Sequence, residues 1–110
     1  MAVKYIPDGY HTVTPFLMAK DAIGLIDFII RGLGGTELSK HLSPDGKVMH
    51  AEVRIGDSNI MLGESNEKYP AVPGMLYLYV EDVDSLYKQA MAAGGTSLRE
   101  PTNEFYGDRS

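Results

Sequence analysis

Along the chain, the spacing of apolar residues changes from one segment to the next. "TVTPFLMA" (Thr12 to Ala19) is a short apolar run with β-branched residues, which predicts a strand. Asp21 follows where a helix N-cap belongs, since its carboxylate can accept the unpaired amide hydrogens of a first turn. In "DAIGLIDFIIRGLGG" the residues Ile23, Ile26, Ile30 and Leu33 predict one buried helical stripe, stopped at Gly34 or Gly35. From Thr36 to Leu62 the period falls to two. "TELSKHL" and "KVMHAEVRI" flank "SPDG", a turn built on Pro44 and Gly46, and "GDS" at 56–58 separates off "NIML". This first pass is strand, helix and three strands.

A second pass follows a polar linker with two prolines, "GESNEKYPAVPG" (Gly63 to Gly74). "MLYLYV" alternates, with Leu76, Leu78 and Val80 on one side and Met75, Tyr77 and Tyr79 on the other. "EDVDSLYKQAMAAGG" predicts a helix capped near Asp82, burying Val83, Leu86, Ala90 and Ala93. At an offset of sixty, Ile23 meets Val83, Ile26 meets Leu86 and Leu33 meets Ala93, and both helices run into "GGT". Identity is confined to that tripeptide, so the repetition is one of pattern.

Composition narrows the function classes. With 110 residues, 44% hydrophobic and 23% charged, the chain suits one compact domain with a modest core. Having no cysteine excludes disulfides, thiolate-bound zinc and thiol catalysis. A formal charge of −5 argues against nucleic acid, which calls for a basic face. No apolar run reaches the length of a membrane span and the N-terminus has no signal-type apolar core, so a cytoplasmic, membrane-free protein is expected. "GLGG" closes a helix instead of opening one, unlike a phosphate loop, and no serine sits in a G-x-S-x-G elbow.

The stretches "TPFLMAKDAIGLIDF", "HAEVRIGDSNIML", "YLYVEDVDSLYKQAMAAGG" and "FYGDRS", in that order, resemble the vicinal oxygen chelate superfamily. That group includes glyoxalase I, bleomycin-resistance proteins and extradiol dioxygenases, and the likeness is strongest to its PhnB-like glyoxalase branch. The resemblance implies an α+β fold of paired βαβββ modules. Module one would span about 10–62, the linker 63–74, and an incomplete second module 75–110. Relatives continue past a "YGDR"-like stretch into two further strands around a "DPxGNxW"-like turn, so a longer native protein is expected. A homodimer is expected as well, because small relatives commonly pair and an open sheet edge invites a partner strand.

Metal-dependent relatives hold a divalent ion with four His or Glu side chains, which polarises vicinal oxygens of the substrate. By resemblance, three of those positions fall at Thr14 or Pro15, at Met61 and at Met75, and the fourth lies beyond Ser110. Proline has no donor, threonine is a poor neutral ligand and thioethers are soft, so no metal ligand and no cofactor is assigned. His11 and His41 read as surface residues. On "VMHAEVRI", alternation sends Met49, Ala51, Val53 and Ile55 towards the helix, and His50, Glu52 and Arg54 to the concave face that holds ligands in this fold. The resemblance therefore predicts a metal-free protein binding a small aromatic or cationic molecule. Its ligand-binding residues would be His50, Glu52, Arg54, Met61, Met75, Tyr77 and Tyr79, with no catalytic residue assigned. The alternatives are a divalent-metal-dependent lyase or dioxygenase with a relocated site using His11, His50 and a residue beyond Ser110, and a subunit whose concave face binds another copy.

Overall fold

The computed structural model describes residues 3–110. Its elements are β1 (Phe16–Ala19), α1 (Ala22–Leu33), β2 (Thr36–Leu42), β3 (Val48–Ile55), β4 (Ser58–Glu64) and α2 (Val83–Ala92). The fold is α+β. The first five elements make a complete βαβββ module whose single sheet has the order β1-β4-β3-β2. Its β1 runs parallel to β4, and the two other pairings are antiparallel. Among the described residues, no helix is long and apolar enough to cross a membrane.

The caps expected from the sequence close both helices. Gly24 N–H donates to Asp21 at 3.0 Å, and Ser85 N–H donates to Asp82 at 3.0 Å. Gly34 ends α1 at φ 70°, in the left-handed region where a side chain would be strained. Ala22, Ile26 and Ile29 press onto Val48, Ala51, Val53, Ile60 and Leu62 to form the core. The buried stripe of α1 is thus shifted from the expected one: Ile23 is 51% and Ile30 38% exposed. Asp27 and Arg31 pair on the solvent side of this helix, Ile23 and Ile30 lie on the flank of that side, and the stripe opposite the two charges meets the sheet.

The face of β3 is also corrected at one position. Met49, expected in the core, is 66% exposed, while Val48 is buried. His41 pairs with His50 and Leu42 with Val48, so Met49 is the extra residue of a β-bulge. One inserted residue reverses the alternation beyond it and puts Val48 on the helix side. Leu38 is skipped on β2 in the same way, between Glu37–Val53 and Ser39–Glu52.

The second half is built differently from the first. Residues 75–80 lie in no ladder. In module one, the corresponding β1 has β4 as its partner, and no such strand stands beside 75–80 among the described residues. Their alternation survives nonetheless: Met75, Tyr77 and Tyr79 are 92%, 60% and 86% exposed, against 38% for Leu76 and Val80. Helix α2 packs on α1, with Gln89 Nε2 donating to the Arg31 carbonyl at 2.8 Å, and touches none of the four strands. Its expected stripe (Val83, Leu86, Ala90, Ala93) is in phase but only half-buried. Residues 102–110 close into a small hairpin that Arg109 ties to Asp84 of α2 at 2.9 Å.

Candidate functional site

The sheet face away from α1 is built in cross-strand rows. Ser39, Glu52, Met61 and Phe16 lie side by side from β2 to β1. His50 pairs with His41 one step further along, and Arg54 pairs with Asn59 on the other side. Because neighbours across strands share a face, this register brings polar groups from three strands together.

Glu52 is the centre of that face. Ser39 Oγ donates to its Oε2 at 2.9 Å, and the Tyr10 hydroxyl donates to its Oε1. His50 Nε2 stands 3.8 Å from Oε2. The Tyr10 hydrogen bond, then that of Ser39, hold the Glu52 carboxyl below its usual range, with smaller help from His50 and His41. Tyr10 is pushed the other way, to about 12, by burial first and then by the hydrogen bond and negative charge of Glu52. Both shifts favour one arrangement: a neutral phenol donating to an ionised carboxylate. The His50 ring leans on Phe16 with centroids 5.7 Å apart.

Tyr10 reaches Glu52 because the N-terminal segment turns over the sheet. Its N–H donates to the Pro7 carbonyl at 3.0 Å, and Gly9 takes φ 85° inside that turn. A Cβ on Gly9 would stand 2.7 Å from Asn59 Nδ2 and would displace that side chain, and the positive φ itself favours glycine. The Asn59 side chain lies beside this turn, with Nδ2 next to Gly9. Its Oδ1 is buried without a hydrogen-bond partner among the described residues.

A cleft of about 680 Å³ opens beside this segment, between Tyr10 to Pro15, the β3–β4 turn with Asn59 and Ile60, and residues 76–80. Tyr77 and Tyr79, with ring centroids 5.3 Å apart, form one wall. A second hollow of about 570 Å³ continues along 76–80 to the C-terminal hairpin. On its other side, Tyr10 borders a smaller cavity of about 260 Å³ that reaches Met61. A fourth hollow, of about 750 Å³, is lined by Phe16, Met18, Met49 and Tyr69 among others.

The residues singled out from sequence fall into two groups. His50, Glu52 and Met61 share the open face. Arg54 is exposed at its edge, where Nε donates to the Gly56 carbonyl at 3.1 Å. Tyr77 and Tyr79 line the cleft, whereas His50, Glu52, Arg54, Met61 and Met75 do not. The structure does not bring the two groups into one cavity; Tyr10 stands between them. Tyr10 and Asn59 are additions that the sequence reading lacked. Asn59 was accessible by alternation, since "NIML" puts it on the side of Met61. Tyr10 carries no periodic signal.

The residues here do not fit the ion of metal-dependent relatives. Thr14 and Pro15 border the cleft, Met61 is on the open face and Met75 is 92% exposed. Neutral hydroxyl and thioether groups are poor partners for hard divalent ions. Among the described residues, no three His, Asp or Glu side chains are placed to share an ion.

The family model described as Glyoxalase/Bleomycin resistance protein/Dioxygenase superfamily matches residues 10–110. An uncharacterized protein of Mycobacterium bovis is 30% identical over 120 residues, covering 99% of this chain and 76% of that relative. A Mycobacterium tuberculosis protein, also uncharacterized, is 30% identical and covers 99% and 68%. Among solved structures, TioX from Micromonospora sp. ML1 aligns with a TM-score of 0.68 at 21% identity, covering 90% of this chain and 82% of its own. The PhnB protein of Bacillus cereus, described as a putative 3-demethylubiquinone-9 3-methyltransferase, gives 0.63 at 17% identity, covering 90% and 87%. These two likenesses establish the fold.

Proposed function

For a chain that belongs to the glyoxalase/bleomycin resistance protein/dioxygenase superfamily, we propose binding of a flat aromatic or cationic small molecule, without the family's metal site, in the cleft walled by Tyr77 and Tyr79. The observation that carries this reading is the pair of tyrosines facing a cleft of about 680 Å³. Small-molecule sites commonly enclose roughly 300–1,000 Å³. Tyrosine rings gain much by covering a flat ligand and lose little conformational freedom in doing so.

Charge sets the preferred sign of the ligand. The chain carries −5 overall, and Glu52 remains ionised close behind Tyr10. An anion approaching this side is repelled, and a cation is attracted. Thr14, Pro15, Met61 and Met75 support the metal-free part of the reading through their donor chemistry. Binding and sequestration follow without any reaction step.

A homodimer belongs to the same reading. Residues 75–80 have no ladder partner among the described residues and turn Met75, Tyr77 and Tyr79 outwards. A twofold-related copy seated there would cover apolar surface and close the cleft.

The test is a fluorescence titration with 9-aminoacridine, a flat aromatic cation. Tyr77→Ala is expected to weaken binding by about 1–3 kcal/mol, the scale of an aromatic anchor, with cooperative unfolding retained. An unchanged affinity in Tyr77→Ala, or no binding by the parent protein, contradicts the proposal.

A further inference from the structure

We infer that the fourth hollow is a second small-molecule site, separate from the tyrosine-walled cleft. It takes an apolar acid, a flat ring system bearing one carboxylate.

The apolar body of that ligand is matched by four side chains from three segments. Phe16 and Met18 stand two apart on β1 and so share a face, Met49 comes from β3, and Tyr69 comes from the stretch after β4. Phe16, Met49 and Tyr69 are all about half exposed or more. Singly, exposed apolar side chains are ordinary. Gathered round a hollow of about 750 Å³, they offer an apolar molecule a place to bind. The bulge on β3 contributes directly. Strict alternation would send Met49 towards α1, and the extra residue turns it to the hollow instead. A thioether there adapts readily to the face or edge of a ring. The hollow shares no lining residue with the cleft, so the two are filled independently.

The polar groups left unused choose the head group. Glu64 Oε1 accepts from the Ala22 N–H at 3.1 Å, at the positive end of α1, and Asp45 accepts from Ser43 Oγ within the β2–β3 turn. Both carboxylates of the lining are thus engaged by donors of the protein. Asn66 Oδ1 accepts from the Tyr69 N–H at 2.9 Å, which leaves its Nδ2 to donate. Lys47 lines the hollow and enters none of the ion pairs among the described residues. A second cation, Lys68, lies over the Tyr69 ring, 5.5 Å from its centroid. Lys47, Asn66 and the Ser65 hydroxyl are therefore free to donate, and a carboxylate is the head group that accepts from them. The overall charge of −5 opposes an anion at long range. That field is screened beyond about 8 Å at physiological salt, so the donors in contact decide.

Two probes with one ring system test this by calorimetric titration: 2-naphthoate, an anion, and 2-naphthamide, its neutral counterpart. The parent protein is expected to bind the naphthoate about five-fold tighter than the amide, the scale of a partly exposed ion pair. Lys47→Gln is expected to abolish that preference. Met49→Ala is expected to weaken both probes by about ten-fold, the scale of lost apolar cover, and Tyr77→Ala to leave both unchanged. Thermal melts confirm that the variants fold, and Lys47→Gln decides alone if Met49→Ala does not. Absence of saturable naphthoate binding, or full affinity in folded Met49→Ala, overturns the site. Weakening of the naphthoate by Tyr77→Ala places it in the cleft and overturns the site as well. A preference that is missing in the parent protein or persists in Lys47→Gln overturns the ligand class. Binding of 9-aminoacridine is expected to be the same in Met49→Ala and the parent protein, so the two sites stand or fall separately.

Discussion

The Tyr10 hydroxyl donates to the Glu52 carboxylate across 42 positions of the sequence, joining the N-terminal segment to the centre of the sheet. Each partner shifts the other in the direction that preserves the bond: Tyr10 rises to about 12 and Glu52 falls below its ordinary range. The pair is consequently visible at both ends of the pH scale.

At high pH the folded protein holds the Tyr10 proton more tightly than the unfolded chain does. The resulting stability is fully present below the ordinary tyrosine value of 10.0 and is lost as pH rises from there to about 12. Urea midpoints of the parent protein should fall across that window relative to Tyr10→Phe. Parallel curves for the two proteins would contradict the bond.

At low pH the sign is opposite. Glu52 is depressed in the fold, so its contribution is present above the ordinary carboxylate pKa and is lost as pH falls through its lower folded value. Glu52→Gln should remove that acid limb of the stability curve. Retention of the full limb would assign it to other carboxylates.

Gly9 offers a steric test of the same contact. It holds φ 85°, and a Cβ there would stand 2.7 Å from Asn59 Nδ2. Gly9→Ala is therefore expected to lift the Tyr10 turn and return one tyrosine from about 12 towards 10 in a spectrophotometric titration. An unmoved titration curve would contradict this.

Core and cleft wall should separate cleanly on mutation. Leu62 is wholly buried, so Leu62→Ala is expected to cost roughly 2–5 kcal/mol of stability. Tyr77 is 60% exposed, so its truncation should leave the thermal midpoint near that of the parent. Comparable losses in the two variants would show that the tyrosine wall is core.

Much of module one was legible because its signals are local. Asp21 and Gly34 mark the ends of α1, "SPDG" marks the β2–β3 turn, and the β3 alternation finds Ala51, Val53 and Glu52. The errors arise where a local period is interrupted or where an apolar stripe runs past the buried face. Met49 and Val48 exchanged faces because a bulge leaves no mark on alternation, and on α1 Ile23 and Ile30 carry the apolar stripe onto the flank of the Asp27–Arg31 side, where solvent reaches them. A strand at 75–80 was readable as an alternating segment, yet a ladder depends on a neighbour that alternation does not report. Tyr10 was invisible for the same reason: its partner is 42 residues away.

The proposed homodimer is checked by light scattering at micromolar concentration. The expected mass is twice the 12.1 kDa of the chain. A single-chain mass would remove the partner from residues 75–80.

Ligand binding without the family metal is tested by a 9-aminoacridine titration of protein dialysed exhaustively against EDTA. Saturable binding is expected, the same before and after dialysis and unaltered by added divalent ions. Binding that vanishes on dialysis and returns with one divalent ion per chain would contradict it.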